Sequence, residues 1–87
     1  MSRIKVYTSF CCPYCVRATD LLKSKGAAFE EIDVTMRPDI RAEMRERAGG
    51  RNKVPQIFIG ERHIGGYHEL HALDMEGGLD PLLAGYK

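Results

Sequence analysis

Arg3-Ile4-Lys5-Val6-Tyr7-Thr8, followed by Ser9-Phe10-Cys11-Cys12-Pro13-Tyr14-Cys15, is the stretch that decides the fold. Its first part is short, alternating and rich in β-branched residues, the pattern of a strand. Its second part holds all three cysteines of the chain within five positions. The Cys12-Pro13 step then opens a helix, because proline's missing N–H would be an orphan at the first helical position anyway. From Pro13 to Lys25, Cys15, Ala18 and Leu22 fall at helical spacing, with Leu21 beside them. Lys23 and Lys25 suit the negative end of the helix, and Gly26 is a ready residue just past it. Two cysteines separated by two residues at a strand-to-helix junction are a redox motif before anything else.

Working outward, Phe29–Val34 reads as a second strand. Strand, helix and strand in about thirty residues make a βαβ unit, so these strands should be parallel with a right-handed crossover. Pro38 starts the next helix, with Ile40, Met44 and Ala48 on one face and Gly49-Gly50 at its end. Gln56-Ile57-Phe58-Ile59 is a strand entered through Pro55. Gly60-Glu61 has the form of a two-residue hairpin turn, and Arg62-His63-Ile64 returns antiparallel. A short helix, Tyr67–Met75, follows Gly65-Gly66. Leu79-Asp80-Pro81-Leu82-Leu83 is a last turn or short helix capping the sheet. The order is β-α-β-α-β-β-α in a single α/β domain, 1–87.

The chain has 87 residues, 44% hydrophobic and 29% charged, which fits a small globular domain and excludes disorder. A net charge of +1 gives no field for a polyanion, so nucleic acid is an unexpected partner. No apolar run approaches the roughly 20 residues of a membrane span, and Met1–Val6 lacks the apolar core of a secretory signal. Three clustered cysteines do not staple a secreted fold, so a reducing, cytoplasmic setting is expected.

The thiolate is the attacking species in disulfide exchange. Cys12 stands at the N-cap position, where the N–H groups of Tyr14, Cys15 and Val16 would face its sulfur. Cys15 lies one turn inside and is more shielded. This asymmetry makes Cys12 the nucleophile and Cys15 the resolving thiol. A zinc half-site needs two more ligands, and His63, His68 and His71 lie some fifty residues away, so no metal is expected. Val54-Pro55 either simply starts a strand or holds a cis bond that turns the Val54 backbone toward the thiolate; the residues alone leave both open. Gly65-Gly66-Tyr67 is most simply a tight turn, or else a place where a helix N-terminus meets a carboxylate. Cys11 reads as a spectator, with participation under oxidation as the alternative.

Cys12-Pro13-Tyr14-Cys15, Val54-Pro55-Gln56-Ile57-Phe58-Ile59, Ile64-Gly65-Gly66 and the tail Gly77-Gly78-Leu79-Asp80-Pro81-Leu82-Leu83 together resemble the glutaredoxin family, in its bacterial dithiol class, over nearly the whole chain. The resemblance implies a thioredoxin fold, with a four-stranded mixed sheet of order 2-1-3-4 flanked by helices. It implies that Pro55 is cis, that no cofactor is held, and that glutathione is the cosubstrate. It also implies a glutathione groove at Tyr14, Val54, Pro55, Gly66, Tyr67 and His68. Glutathione's cysteinyl part would pair with the Val54 backbone. Its γ-glutamyl carboxylate would meet N–H groups opening the third helix.

The implied activity is reduction of protein disulfides and glutathione mixed disulfides by a monomer. Glutathione reductase would restore the electron donor, and ribonucleotide reductase is a family-level expectation among protein partners. The competing readings are a redoxin fed directly by a flavoenzyme and a glutathione-ligated iron–sulfur carrier. Three places in the chain depart from the family's habit. Ser9 stands where many members have lysine, Lys53 where threonine is common, and Tyr67-His68-Glu69 where Cys-Asp-Asp or Cys-Ser-Asp is common. Lys53, Arg51 and Arg41 are the candidates for the missing cation, and Glu69 for the missing acid.

Overall fold

A computed structural model describes residues 3–85; residues 1–2 and 86–87, the two ends of the expected 1–87 domain, lie outside it. The elements are β1 (Ile4–Thr8), α1 (Pro13–Ser24), β2 (Glu30–Asp33), α2 (Pro38–Arg47), β3 (Gln56–Ile59), β4 (Arg62–Gly65), α3 (Tyr67–Met75) and α4 (Leu79–Ala84). The sheet runs β2-β1-β3-β4, with β1 and β2 parallel and the other neighbours antiparallel. This is the expected topology, and the tail forms a helix rather than a turn.

The alternation in β1 and β3 explains the layers, since successive strand residues point to opposite faces. Ile4, Val6, Ile57 and Ile59 pack with Ala18 and Leu22 of α1, Leu70 of α3 and Leu79 and Leu83 of α4. Tyr7 and Phe58 face the other way, onto Met44 of α2, Val34 and Ala48. All four residues of β3 are buried because the strand is central and covered on both faces. Each such aliphatic side chain contributes roughly 1.5–3 kcal/mol on burial.

The edge strand β2 is shorter than the sequence pattern suggests. Phe29 and Val34 fall outside its bounds and pack into opposite cores, although the Val34 N–H still donates to the Thr8 carbonyl at 2.8 Å. Lys25, just past α1, forms ion pairs with Asp74 at 2.7 Å and Asp80 at 3.1 Å. Its charge thus ties the end of α1 to α3 and α4. Gly26 follows with φ +69, the left-handed conformation that closes a helix.

Candidate active site

Cys12 is the N-cap of α1, extended at φ −111°, ψ 100°, with Pro13 as the first helical residue. The Cys15 N–H donates to Cys12 Sγ at 3.2 Å. The Val16 N–H instead donates to the Cys12 carbonyl at 3.2 Å, closing the first helical hydrogen bond. Of the three N–H groups expected at the sulfur, the hydrogen bond found is therefore from Cys15. That N–H and the start of the helix both face the sulfur. Cys12 is partly accessible, Cys11 is exposed and Cys15 is buried, 4% exposed.

Burial, then the neighbouring Cys12 sulfur, push the Cys15 thiol up to about 12, against a hydrogen bond from the Ser9 backbone. Cys11 has φ +57, an uncommon conformation for a residue with a side chain. The Phe10 N–H donates to Thr35 Oγ1 at 2.7 Å, fixing the preceding loop to the β2–α2 connection.

Val54-Pro55 is cis. The Val54 carbonyl lies 3.9 Å from Cys12 Sγ. Behind it, Gln56 is fully buried and fully engaged. Its Nε2 donates to the Lys53 carbonyl at 2.8 Å, and its Oε1 meets His63 Nε2 at 2.7 Å. Burial and the Arg51 charge lower the pKa of His63, which favours a neutral ring donating to that amide oxygen.

A groove of about 260 Å³ collects Tyr14, Arg51, Lys53, Val54, Pro55, Gly66, Tyr67 and His68, with Gln56 and Glu69 completing it. Arg41 is the exception among the expected residues. Its guanidinium donates to Asn52 Oδ1 at 3.0 Å and to the Asn52 carbonyl at 2.7 Å, outside the groove. The Tyr14 ring stacks near Tyr67 and tilts against His68, with centroids 5.9 and 5.1 Å away, and Arg17 lies over it at 5.4 Å. A wider depression of about 490 Å³ lies beside Arg3, Arg47 and Phe58, and no cysteine lines it.

Glu69 holds the start of α3. Its Oε1 accepts the Gly66 N–H at 2.9 Å and Arg51 Nη2 at 2.8 Å. These bonds, the backbone one first, hold its carboxyl below the usual range. Glu69 is thus a helix cap engaged with Arg51 rather than a free acid. The first-turn N–H groups of Tyr67 and His68 have no carbonyl one turn earlier in the helix. Among the described residues Lys53 forms no ion pair, so it is the less neutralised of the two groove cations.

Sequence reasoning missed the roles of Gln56 and Glu69. A glutamate three residues after a predicted N-cap was the available signal for Glu69. Among the described residues no group of three or more His, Cys, Asp or Glu side chains is placed to hold a metal.

The sequence model of the family described as glutaredoxin matches residues 4–64. The chain belongs to the glutaredoxin family. It is 52% identical over 83 residues to glutaredoxin 3 of Escherichia coli K12, covering 95% of this chain and 99% of that protein. The solution structure of a glutaredoxin from Brucella melitensis is 55% identical, with a TM-score of 0.82 over 95% of this chain and 89% of the other. A buckwheat glutaredoxin–glutathione complex is 29% identical, with a TM-score of 0.86 over 95% and 77%. The glutaredoxin chemistry of this chain is thiol–disulfide exchange, and its accessible Cys12 and buried Cys15 suit the two unequal thiols of that reaction.

Proposed function

We propose that this glutaredoxin draws its electrons from glutathione. Cys12 alone reduces glutathione mixed disulfides, and Cys12 with Cys15 reduces protein disulfides. The observation that carries this reading is the Val54 carbonyl beside Cys12 Sγ, continuous with a groove carrying Arg51 and Lys53. An extended peptide pairing with that backbone would lay its own sulfur next to Cys12. Glutathione has a carboxylate at each end. Lys53 and Arg51 suit one, and the Tyr67 and His68 N–H groups suit the other. The relative from buckwheat was solved as a glutathione complex, which supports the same ligand here.

In the one-thiol cycle, Cys12 thiolate attacks the glutathione sulfur of the mixed disulfide. The substrate thiol leaves, and a second glutathione frees Cys12 as oxidised glutathione forms. With a protein disulfide, Cys12 forms the mixed disulfide and Cys15 closes onto Cys12. Glutathione then reduces the Cys12–Cys15 bond. The protein acts as a monomer in the cytoplasm on this reading.

The test is disulfide reduction coupled to glutathione and glutathione reductase, run on the wild type, Cys12→Ser and Cys15→Ser. Cys12→Ser is expected to be inactive. Cys15→Ser keeps deglutathionylation and loses reduction of protein disulfides. A wild type driven by thioredoxin reductase and idle with glutathione refutes the proposal.

A further inference from the structure

A second cleft, of about 590 Å³, shares no lining residue with the groove and reaches Cys12, Cys15, Thr8, Thr19, Glu31 and Asp33. The exchange cycle leaves these carboxylates without a task. Cys15 is protonated at rest, and it must lose that proton before it can attack Cys12. The side chain it faces on its own helix, Cys12, is by then locked in a disulfide and cannot take a proton.

The local chain links Cys15 to a carboxylate. The Ser9 backbone hydrogen-bonds the Cys15 sulfur. The next residue back, Thr8, is buried, and its hydroxyl donates to Glu31 Oε2 at 3.1 Å. The titratable side chains lining the cleft are Cys11 and Cys12 ahead of and at the helix start, Cys15 within it, and Glu31 and Asp33 on β2; β1 and the loop after it bring the hydroxyls of Thr8 and Ser9. Asp33 is engaged elsewhere. Its Oδ1 accepts the Thr35 N–H at 2.8 Å, which with the Thr35 hydroxyl lowers its basicity. Glu31 is the carboxylate left, and the charge of Glu31 is felt at Cys15.

We propose that Glu31 accepts the proton of Cys15, through water in this cleft, as Cys15 attacks the mixed disulfide on Cys12. The step balances. The Cys15 S–H bond breaks and its proton passes to the Glu31 carboxylate. The Cys15 electron pair forms the Cys12–Cys15 bond. The bond from Cys12 to the substrate sulfur breaks, and that sulfur leaves with its electron pair and later takes the proton from Glu31. Cys15 is oxidised and the substrate sulfur is reduced. This inference rests on Cys15 being the resolving thiol.

The two roles open to Glu31 have opposite signs. As a mere negative charge it holds the Cys15 proton on, so removing the charge would speed closure. As the acceptor, its removal slows closure. The experiment is rapid mixing of the reduced Cys11→Ser protein with dithiodipyridine, whose leaving thione absorbs. Cys12 releases the first thione, and Cys15 releases the second as it closes.

Glu31→Gln, which keeps an acceptor for the Thr8 hydroxyl, is expected to slow the second phase by roughly 10²-fold at neutral pH. The remaining rate should climb about tenfold per pH unit, following the thiolate of Cys15. Glu31→Asp is expected to restore part of the rate and the flatter pH profile. A second phase in Glu31→Gln as fast as the parent's, or faster, overturns the proposal. A second phase that persists after Cys15→Ser overturns the resolving role itself, a separate failure visible in the same traces.

Discussion

Gly65→Ala tests how the start of α3 is held. Gly65 has φ +117, a conformation that residues with a side chain rarely adopt. A Cβ there would lie 2.5 Å from Glu69 Oε1 and 3.1 Å from Arg51 Nη1. The carboxylate can swing away only by leaving the Gly66 N–H and Arg51. Backbone strain of this kind costs about 1–3 kcal/mol. The lost N–H bond costs about 1 kcal/mol. The Arg51–Glu69 pair adds only about 0.5 kcal/mol, because its side chains are 47% and 42% exposed.

A total near 3 kcal/mol lowers the Tm of a domain this size by roughly 12–24 °C. Thermal and urea unfolding followed by circular dichroism measure it. In a Glu69→Ala background the same substitution should cost less, because the clashing carboxylate is gone and only the strain remains. A loss below about 1 kcal/mol, or an equal loss in both backgrounds, refutes the reasoning.

Other expectations follow from the same geometry. Glu69 has a depressed folded pKa, so its contribution is whole above the ordinary value of 4.5 and disappears as pH falls through the lower folded value. The urea midpoints of wild type and Glu69→Gln should therefore converge in acid. Cys15 has the opposite sign. Its folded pKa is raised, so the reduced protein keeps this stability below the ordinary 9.0 and loses it as pH rises toward about 12. Cys15→Ala should lack that alkaline loss in unfolding curves. Lys53→Ala should raise the KM for glutathione several-fold, whereas Arg41→Ala should leave KM alone and loosen the Asn52 loop. Equal KM shifts for the two would contradict their placement.

The parts of the fold legible in the sequence were those set by neighbours along the chain. Alternation gave β1, Pro55 marked the entry to β3, proline and glycine bracketed α1, and helical spacing picked out Ala18, Leu22 and Met44 as core. The unequal exposure of Cys12 and Cys15 followed from one helical turn of separation. What stayed hidden depends on partners far away in sequence. Gln56 is a polar residue that only the Lys53 carbonyl and His63 make tolerable in the core. Arg41 looked like a groove cation until the loop carrying Asn52 folded onto it. Glu31 reads as a solvated strand residue, and only the register beside β1 puts it with Thr8 in the cleft that Cys15 also lines.

The edge strand β2 carries a further consequence. Among the described residues its outer side faces no other strand, and three of its four residues are the acids Glu30, Glu31 and Asp33. An exposed row of backbone donors and acceptors is a template on which a second chain can add. Two such edges brought together would crowd like charges at every approach, more strongly at low salt. Glu31 and Asp33, which border the cysteine cleft, therefore join Glu30 in guarding the molecule against sheet-to-sheet aggregation. Neutralising all three would trade a change in redox chemistry for a loss of solubility.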